Sequence, residues 1–330
     1  MITLSDGADS GAPPSAPVSP RPRRRRLLVG VVVVVVLAAA VGGGMLLADG
    51  SGSSDPTSST TAGSSTSVPA GGGQLIKAAT SSFTVGPTRP DLLENVGPMT
   101  VTKAGTVLAN VHVNGTLTIA ADNVTVRNFI ASSVTQATKN GGVHDTVLED
   151  GTIDGGGSTT NGSNGVEWSN YTARHLDITK SFDGMKAQGN VTIENCWIHD
   201  LNAQPSSDSA GGYTHNDGIQ SSAGSHITIK DNRIERPGYN SAVFIDADEG
   251  NIDGVQVVGN YLDGGGYTLY VVQSRSAPQH GSPTNVVVDG NVFGKNHGFG
   301  PVTLAPGVIF RDNVDADNKP VPAHLDPLSK

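Results

Sequence analysis

One cysteine, Cys196, stands in a chain of 330 residues. That excludes an internal disulfide framework and a cysteine-based zinc site, and a buried strand thiol is its ordinary role. Aromatic residues are 5% and charged residues 15% of the chain, and hydrophobic residues reach only 36%. Typical soluble domains sit near ~45–50% apolar. This deficit excludes a polytopic membrane protein and counts against a helix-rich globule. The 43 glycines have no three-residue period, so collagen is excluded as well. The chain lacks a P-loop, a G-x-S-x-G elbow, a G-x-G-x-x-G opening a helix, and H-E-x-x-H. His112, His144, His175, His199, His226, His297 and His324 show no paired spacing, which argues against zinc chemistry.

Charge is scarce and unevenly placed. The net formal charge is −9, from 21 basic and 30 acidic residues. Five of the basic ones are Arg21, Arg23, Arg24, Arg25 and Arg26, beside only Asp6 and Asp9. Residues 49–330 are left with 16 basic and 28 acidic groups, a net of −12. An acidic body of this kind argues against nucleic acid as a partner.

The first 74 residues read as an address and a tether. Residues 1–26, rich in Pro, Ser and Ala and ending in the arginine cluster, read as a disordered cytoplasmic tail. Leu27 to Ala48 carries no charge over 22 residues, long enough at ~1.5 Å per residue to cross a ~30 Å hydrocarbon core. The pattern predicts a transmembrane signal-anchor helix over 27–48, arginines inside and the body outside. A signal peptide processed near Ala38-Ala39-Ala40 is the rival reading, which would make the body secreted. Residues 49–74, nearly all Ser, Thr, Gly, Ala and Pro, read as a flexible linker.

From residue 75 to 330 a short pattern recurs: apolar-x-apolar-x followed by Asn, Asp or Gly. It appears at Val124–Asn128, Thr146–Asp150, Val191–Asn195, Ile227–Asn232, Val255–Asn260, Val286–Asn291 and Val308–Asn313, with Tyr171–His175 a degenerate copy. The steps run from 20 to 36 residues, a solenoid-like spacing. Alternation within each copy predicts a strand with one buried face. A second strand set lies between: Gly165-Val166-Glu167, Gly184-Met185-Lys186, Gly218-Ile219-Gln220, Ala242-Val243-Phe244 and Thr268-Leu269-Tyr270. Their middle residues are expected to stack inward and their third residues outward. Two short strands per coil, Gly/Asn turns and no helix period predict an all-β chain, a right-handed parallel β-helix of about eight or nine coils. Asn232, Asn260, Asn291 and Asn313 are expected to form a turn ladder in the left-handed conformation that Asn tolerates. Residues 75–100 and the tail after Val314 are expected to cap the ends.

The Asn190-Val-Thr-Ile-Glu-Asn195 type of strand, the His215-Asn-Asp-Gly-Ile-Gln220 segment and the Gly/Asn turns resemble right-handed β-helix proteins of the pectate-lyase-like superfamily. The likeness is to secreted or anchored actinobacterial members and spans roughly residues 90–313. It speaks for fold more than for activity.

A flat strand face with outward side chains ~4.8 Å apart suits a polymer lying across the coils. The outward row Glu167, Lys186, Gln220, Phe244, Tyr270 offers carboxylate, amine, amide and aromatic rings, flanked by Asp183, Asp217 and His215. The expected partner is a polysaccharide or cell-wall glycan. The first reading is a lyase removing the proton α to a uronate carboxylate. Its catalytic candidates are Lys186 as base, His215 and Asp217, with Arg275 and His280 binding acidic sugar or donating the proton. A second is a glycoside hydrolase using Asp183 and Asp217, although the paired-Asp and Arg-Ile-Lys segments of polygalacturonases are absent. A third is a non-catalytic surface module binding glycan through Phe244 and Tyr270. Asp246, Asp248 and Glu249, three carboxylates within four residues, are the candidate ligands for calcium, the one cofactor the sequence suggests.

Overall fold

The computed structural model describes residues 74–138, 142–157, 163–205, 213–238, 240–274 and 281–326. They lie within a unit spanning Ser65–Lys330. Among them every regular element is a strand except the three-residue 3-10 turn Pro90–Leu92.

Strands pair in parallel with their counterparts one repeat further along the chain, an arrangement compatible with a parallel β-helix. Three strand sets do so. In the first, Val191, Ile227, Val255 and Val286 stack in register. In the second, Met185 pairs with Ile219, Ile219 with Val243, Val243 with Leu269 and Leu269 with Val302. Val166 joins this column through single bridges to Val134 and Met185. The predicted inward column is thus a column, and each of its members is buried. The third set was not visible in the sequence: Ile198, Ile234, Leu262 and Phe293 stack in strands of two or three residues. Each such strand buries one side chain or little more, so it displays no period to read. From Val191 to Leu304 each coil therefore carries three strands where two were expected, whereas in Val107–Ile119, Thr125–Gln136, Thr146–Asp154 and Tyr171–Thr179 the first and third sets run on as one strand. All three columns feed one continuous core, in which a fully buried Ile, Leu or Phe contributes on the order of 1.5–3 kcal/mol.

The bend between the first and third sets recurs at one position per coil. Asn128, Asp150, His175, Asn195, Asp231, Gly259, Gly290 and Asp312 all hold positive φ, between 49° and 66°. Asn, Asp and Gly tolerate this left-handed conformation, which explains the repeat's Asn/Asp/Gly signature. The expected asparagine ladder exists, one residue later. Asn232, Asn260 and Asn291 are fully buried, and each donates its side-chain amide to the Oδ1 of the next, at 2.9–3.0 Å, ending on Asn313. Its role is amide stacking, and the left-handed turn belongs to the residue before.

Two expectations are corrected. Among the described residues no helix is long and apolar enough to cross a membrane. The membrane-spanning helix, and with it the single-pass localisation, therefore has no counterpart here, and segments 1–26, 27–48 and 49–73 lie outside the described residues. The amino-terminal cap also differs. Glu94–Val96 and Met99–Val101 do pair with the strand Val107–Ile119 as an opening coil. The hairpin of Gln74–Lys77 and Ser82–Val85 instead lies along the stack, with the Gly86 amide on the His175 carbonyl and Trp197 packed on Ile76, Ala78, Phe83 and Val85. At the other end the tail closes the last coil: the Leu304 amide bonds the His324 carbonyl and the Asp326 amide bonds that of Leu304.

Candidate functional site

The two Asp-Gly corners sit on neighbouring coils. Their glycines have no positive φ. A Cβ on Gly184 would strike the Gly218 carbonyl and Ile198, and one on Gly218 would strike Ile234 and the Ala242 carbonyl. Glycine is needed there for close approach, and the corner aspartates are carried inward with it. Asn216, fully buried, fixes the approach to the second corner by donating to the Phe182 carbonyl at 2.5 Å and accepting from the Thr214 hydroxyl at 2.6 Å.

Asp183 and Asp217 are only 3% and 2% exposed. Asp183 Oδ1 accepts the Asp217 backbone N–H at 2.8 Å, and Asp183 Oδ2 lies 2.5 Å from Lys186 Nζ. Lys186, its side chain 15% exposed, also donates to Gln220 Oε1. Asp217 Oδ1 takes hydrogen bonds from Asn240 Nδ2 at 2.8 Å and Ser241 Oγ at 2.5 Å. Burial and then the negative charge of Asp183 push the Asp217 carboxyl up to about 8, against the pull of Ser241, Lys186 and Asn240. The cluster therefore sets a carboxyl biased toward its protonated form beside the Asp183–Lys186 ion pair. Such pairs, driven apart by environment, are the groundwork of acid–base chemistry.

Of the residues singled out in the sequence, Lys186, Asp183, Asp217 and Gln220 meet here, and His215 is exposed two positions before Asp217. Phe244 and Tyr270 continue the row toward the carboxyl-terminal coils, rings edge-on with centroids 5.1 Å apart. Glu167 precedes Lys186 in the row and accepts from Thr135 Oγ1 at 3.0 Å and Asn164 Nδ2 at 2.5 Å. Arg275 and His280 lie outside the described residues. Among the described residues no three Asp, Glu, His or Cys side chains gather as metal ligands. Asp246 is buried at its strand end, where burial pushes its carboxyl up to about 6, whereas Glu249 turns to accept from Gln188 at 3.0 Å.

Sequence reasoning missed Asn240 and Ser241, the two donors on Asp217. The register Asp217↔Ser241 was the available signal. It also dismissed His199, whose Nε2 lies 3.0 Å from Asp177 and Nδ1 2.7 Å from Asp200, with its ring stacked 3.5 Å from Trp197. Burial works against the charge on this imidazole, but the two carboxylates outweigh it and raise its pKa. Asp177 is one coil away, so no local spacing announced the pair.

No family model matches the chain, and neither a curated protein nor a solved structure is similar to it.

Proposed function

We propose that the protein is a right-handed β-helix of the pectate-lyase-like kind that acts on a polysaccharide laid across its coils. The observation that carries this reading is the cluster Asp183–Lys186–Asp217, in which a carboxyl protonated up to about 8 adjoins a second carboxylate on the next coil. Glycoside hydrolysis needs one carboxylic acid to protonate the leaving oxygen and a second carboxylate on the other side of the bond. In this reading Asp217 protonates the leaving oxygen as the glycosidic C–O bond breaks, and Asp183 supplies the negative charge facing the developing oxocarbenium ion. A solvent water forms the new C–O bond and gives up a proton that restores Asp217, and Lys186 fixes Asp183. Elimination fits less well, because the Lys186 ammonium is committed to Asp183 and Gln220 and a free base is required.

A second reading, a non-catalytic glycan-binding module, is favoured by the near-complete burial of both aspartates and by the Phe244–Tyr270 ring pair. One experiment separates the two. The full chain is incubated with neutral and uronic-acid polysaccharides while reducing ends and unsaturated-product absorbance are followed. New reducing ends that vanish in Asp217→Asn support hydrolysis. Unsaturated products would return the elimination mechanism, and binding without turnover on every substrate would leave the module.

A further inference from the structure

Next to the acid cluster, one coil toward the amino terminus, lies a pocket of about 370 Å³. Its lining is a set of short polar side chains: Thr116, Ser133, Thr135, Ser163, Asn164 and Glu167. Register places it in the same row as the cluster, because Val134 bridges Val166 and Val166 bridges Met185, which sets Thr135, Glu167 and Lys186 side by side. Its walls are tied together: Thr116 Oγ1 and Ser133 Oγ are 2.9 Å apart, and Asn164 and Thr135 both donate to Glu167. Asn164 is only 4% exposed, yet its Oδ1 accepts no hydrogen bond among the described residues.

From these features the geometry points to a subsite for a neutral sugar unit, adjoining the acid cluster. The volume falls in the range of small-ligand sites. Hydroxyl groups of a sugar both donate and accept, so they match the Thr116–Ser133 pair and the Glu167 carboxylate. The only charged group among the described lining residues is the Glu167 carboxylate. A uronate placed there would set its carboxylate against that of Glu167, and like-charge juxtaposition is a strong discriminator. The inference rests on the glycan reading above but adds to it the chemistry of one position. The unit bound beside Glu167 is uncharged, and the Phe244–Tyr270 rings lie at the opposite end of the row.

The test measures binding alone, so it does not depend on turnover. Full-length Asp217→Asn is titrated with a neutral hexose trisaccharide and with the matching uronic-acid trisaccharide, and the backbone amides of Ser133 and Asn164 are followed by NMR. The neutral sugar is expected to bind about tenfold or more tightly than the uronate. Its largest shifts should fall at Ser133 and Asn164. Glu167→Gln should bring the uronate to within a few-fold of the neutral sugar, whereas Asn164→Ala should weaken the neutral sugar. Equal or tighter uronate binding to the parent protein overturns the inference. So do shifts confined to Phe244 and Tyr270, or no binding of either sugar at millimolar concentration. In all three cases the turnover assay on polysaccharides still decides the wider reading separately.

Discussion

Asp217 combines a measurable cost with a usable property. Its carboxyl has an ordinary value of 3.8 and rises to about 8 in the fold, through burial first and Asp183 second. Between those values the folded state holds a proton that the unfolded chain has released. Stability from this group is therefore fully present below about 3.8 and is lost as pH rises toward about 8. Asp246, raised by burial to about 6, has the same sign over a narrower window. Thermal melts across pH 4–9 should show wild-type stability declining with pH. Asp217→Asn should flatten the decline up to about 8 and Asp246→Asn only up to about 6. A wild-type melting temperature that climbs from pH 5 to 8 with no change in Asp217→Asn would contradict this. The same proton governs the proposed hydrolysis. The rate should drop on the alkaline side near 8, and Asp217→Asn should lower it by roughly 10²–10⁴-fold, the usual weight of a general acid.

At the level of the repeating element, the buried asparagine column is the joint with most at stake. Asn260 Oδ1 accepts both the backbone and the side-chain N–H of Asn232, and its own amide reaches the Ile229 carbonyl and Asn291. Asn260→Ala leaves two donors of Asn232 buried without an acceptor, at about 1–3 kcal/mol for each such group. Chemical denaturation should record a loss of about 2–5 kcal/mol, and an unchanged midpoint would show that water enters the gap. Cys196 closes the amino-terminal end of this column: its amide bonds Asn232 Oδ1 at 2.9 Å, and its sulfur donates to the Glu194 carbonyl at 3.4 Å. Burial pushes its thiol up to about 12, so a thiol reagent should label it only on global unfolding. Labelling in the native state, faster than unfolding, would refute that. The recurring tripeptides with an apolar middle residue were enough to find the inward stack from Val166 to Leu269, and the Asn repeated after each first-set strand was enough to find the asparagine column. Neither signal could reveal the Ile198–Phe293 column, whose strands are too short for a period, or the place of the hairpin, which rests on Trp197 more than a hundred residues away. The His199 pair escaped for a related reason. Coil lengths vary from 20 to 36 residues, so a partner one coil away has no fixed offset in the chain.

On the scale of the whole molecule, charge selects what can approach. The chain carries a net −9, and once the arginine cluster near the amino terminus is set apart the remainder is more acidic still. A polyanion reaching the strand face meets repulsion that the Lys186 side chain does not cancel, since it is already paired with Asp183. Screening sets the range of that repulsion, about 8 Å at physiological salt and about 30 Å at 0.01 M. Anionic oligosaccharides should therefore bind more tightly as salt rises from about 0.01 to 0.3 M, in the direction opposite to attraction between unlike charges. Neutral oligosaccharides should show almost no salt dependence, because in the proposed reading hydrogen bonds and ring stacking, rather than charges, would hold them. Calorimetric titrations of both classes at those two ionic strengths make the comparison. Affinity for the anionic sugar that falls as salt rises would mean that a basic surface receives it, and the acidic row from Glu167 to Asp217 would then lie outside the path of the substrate.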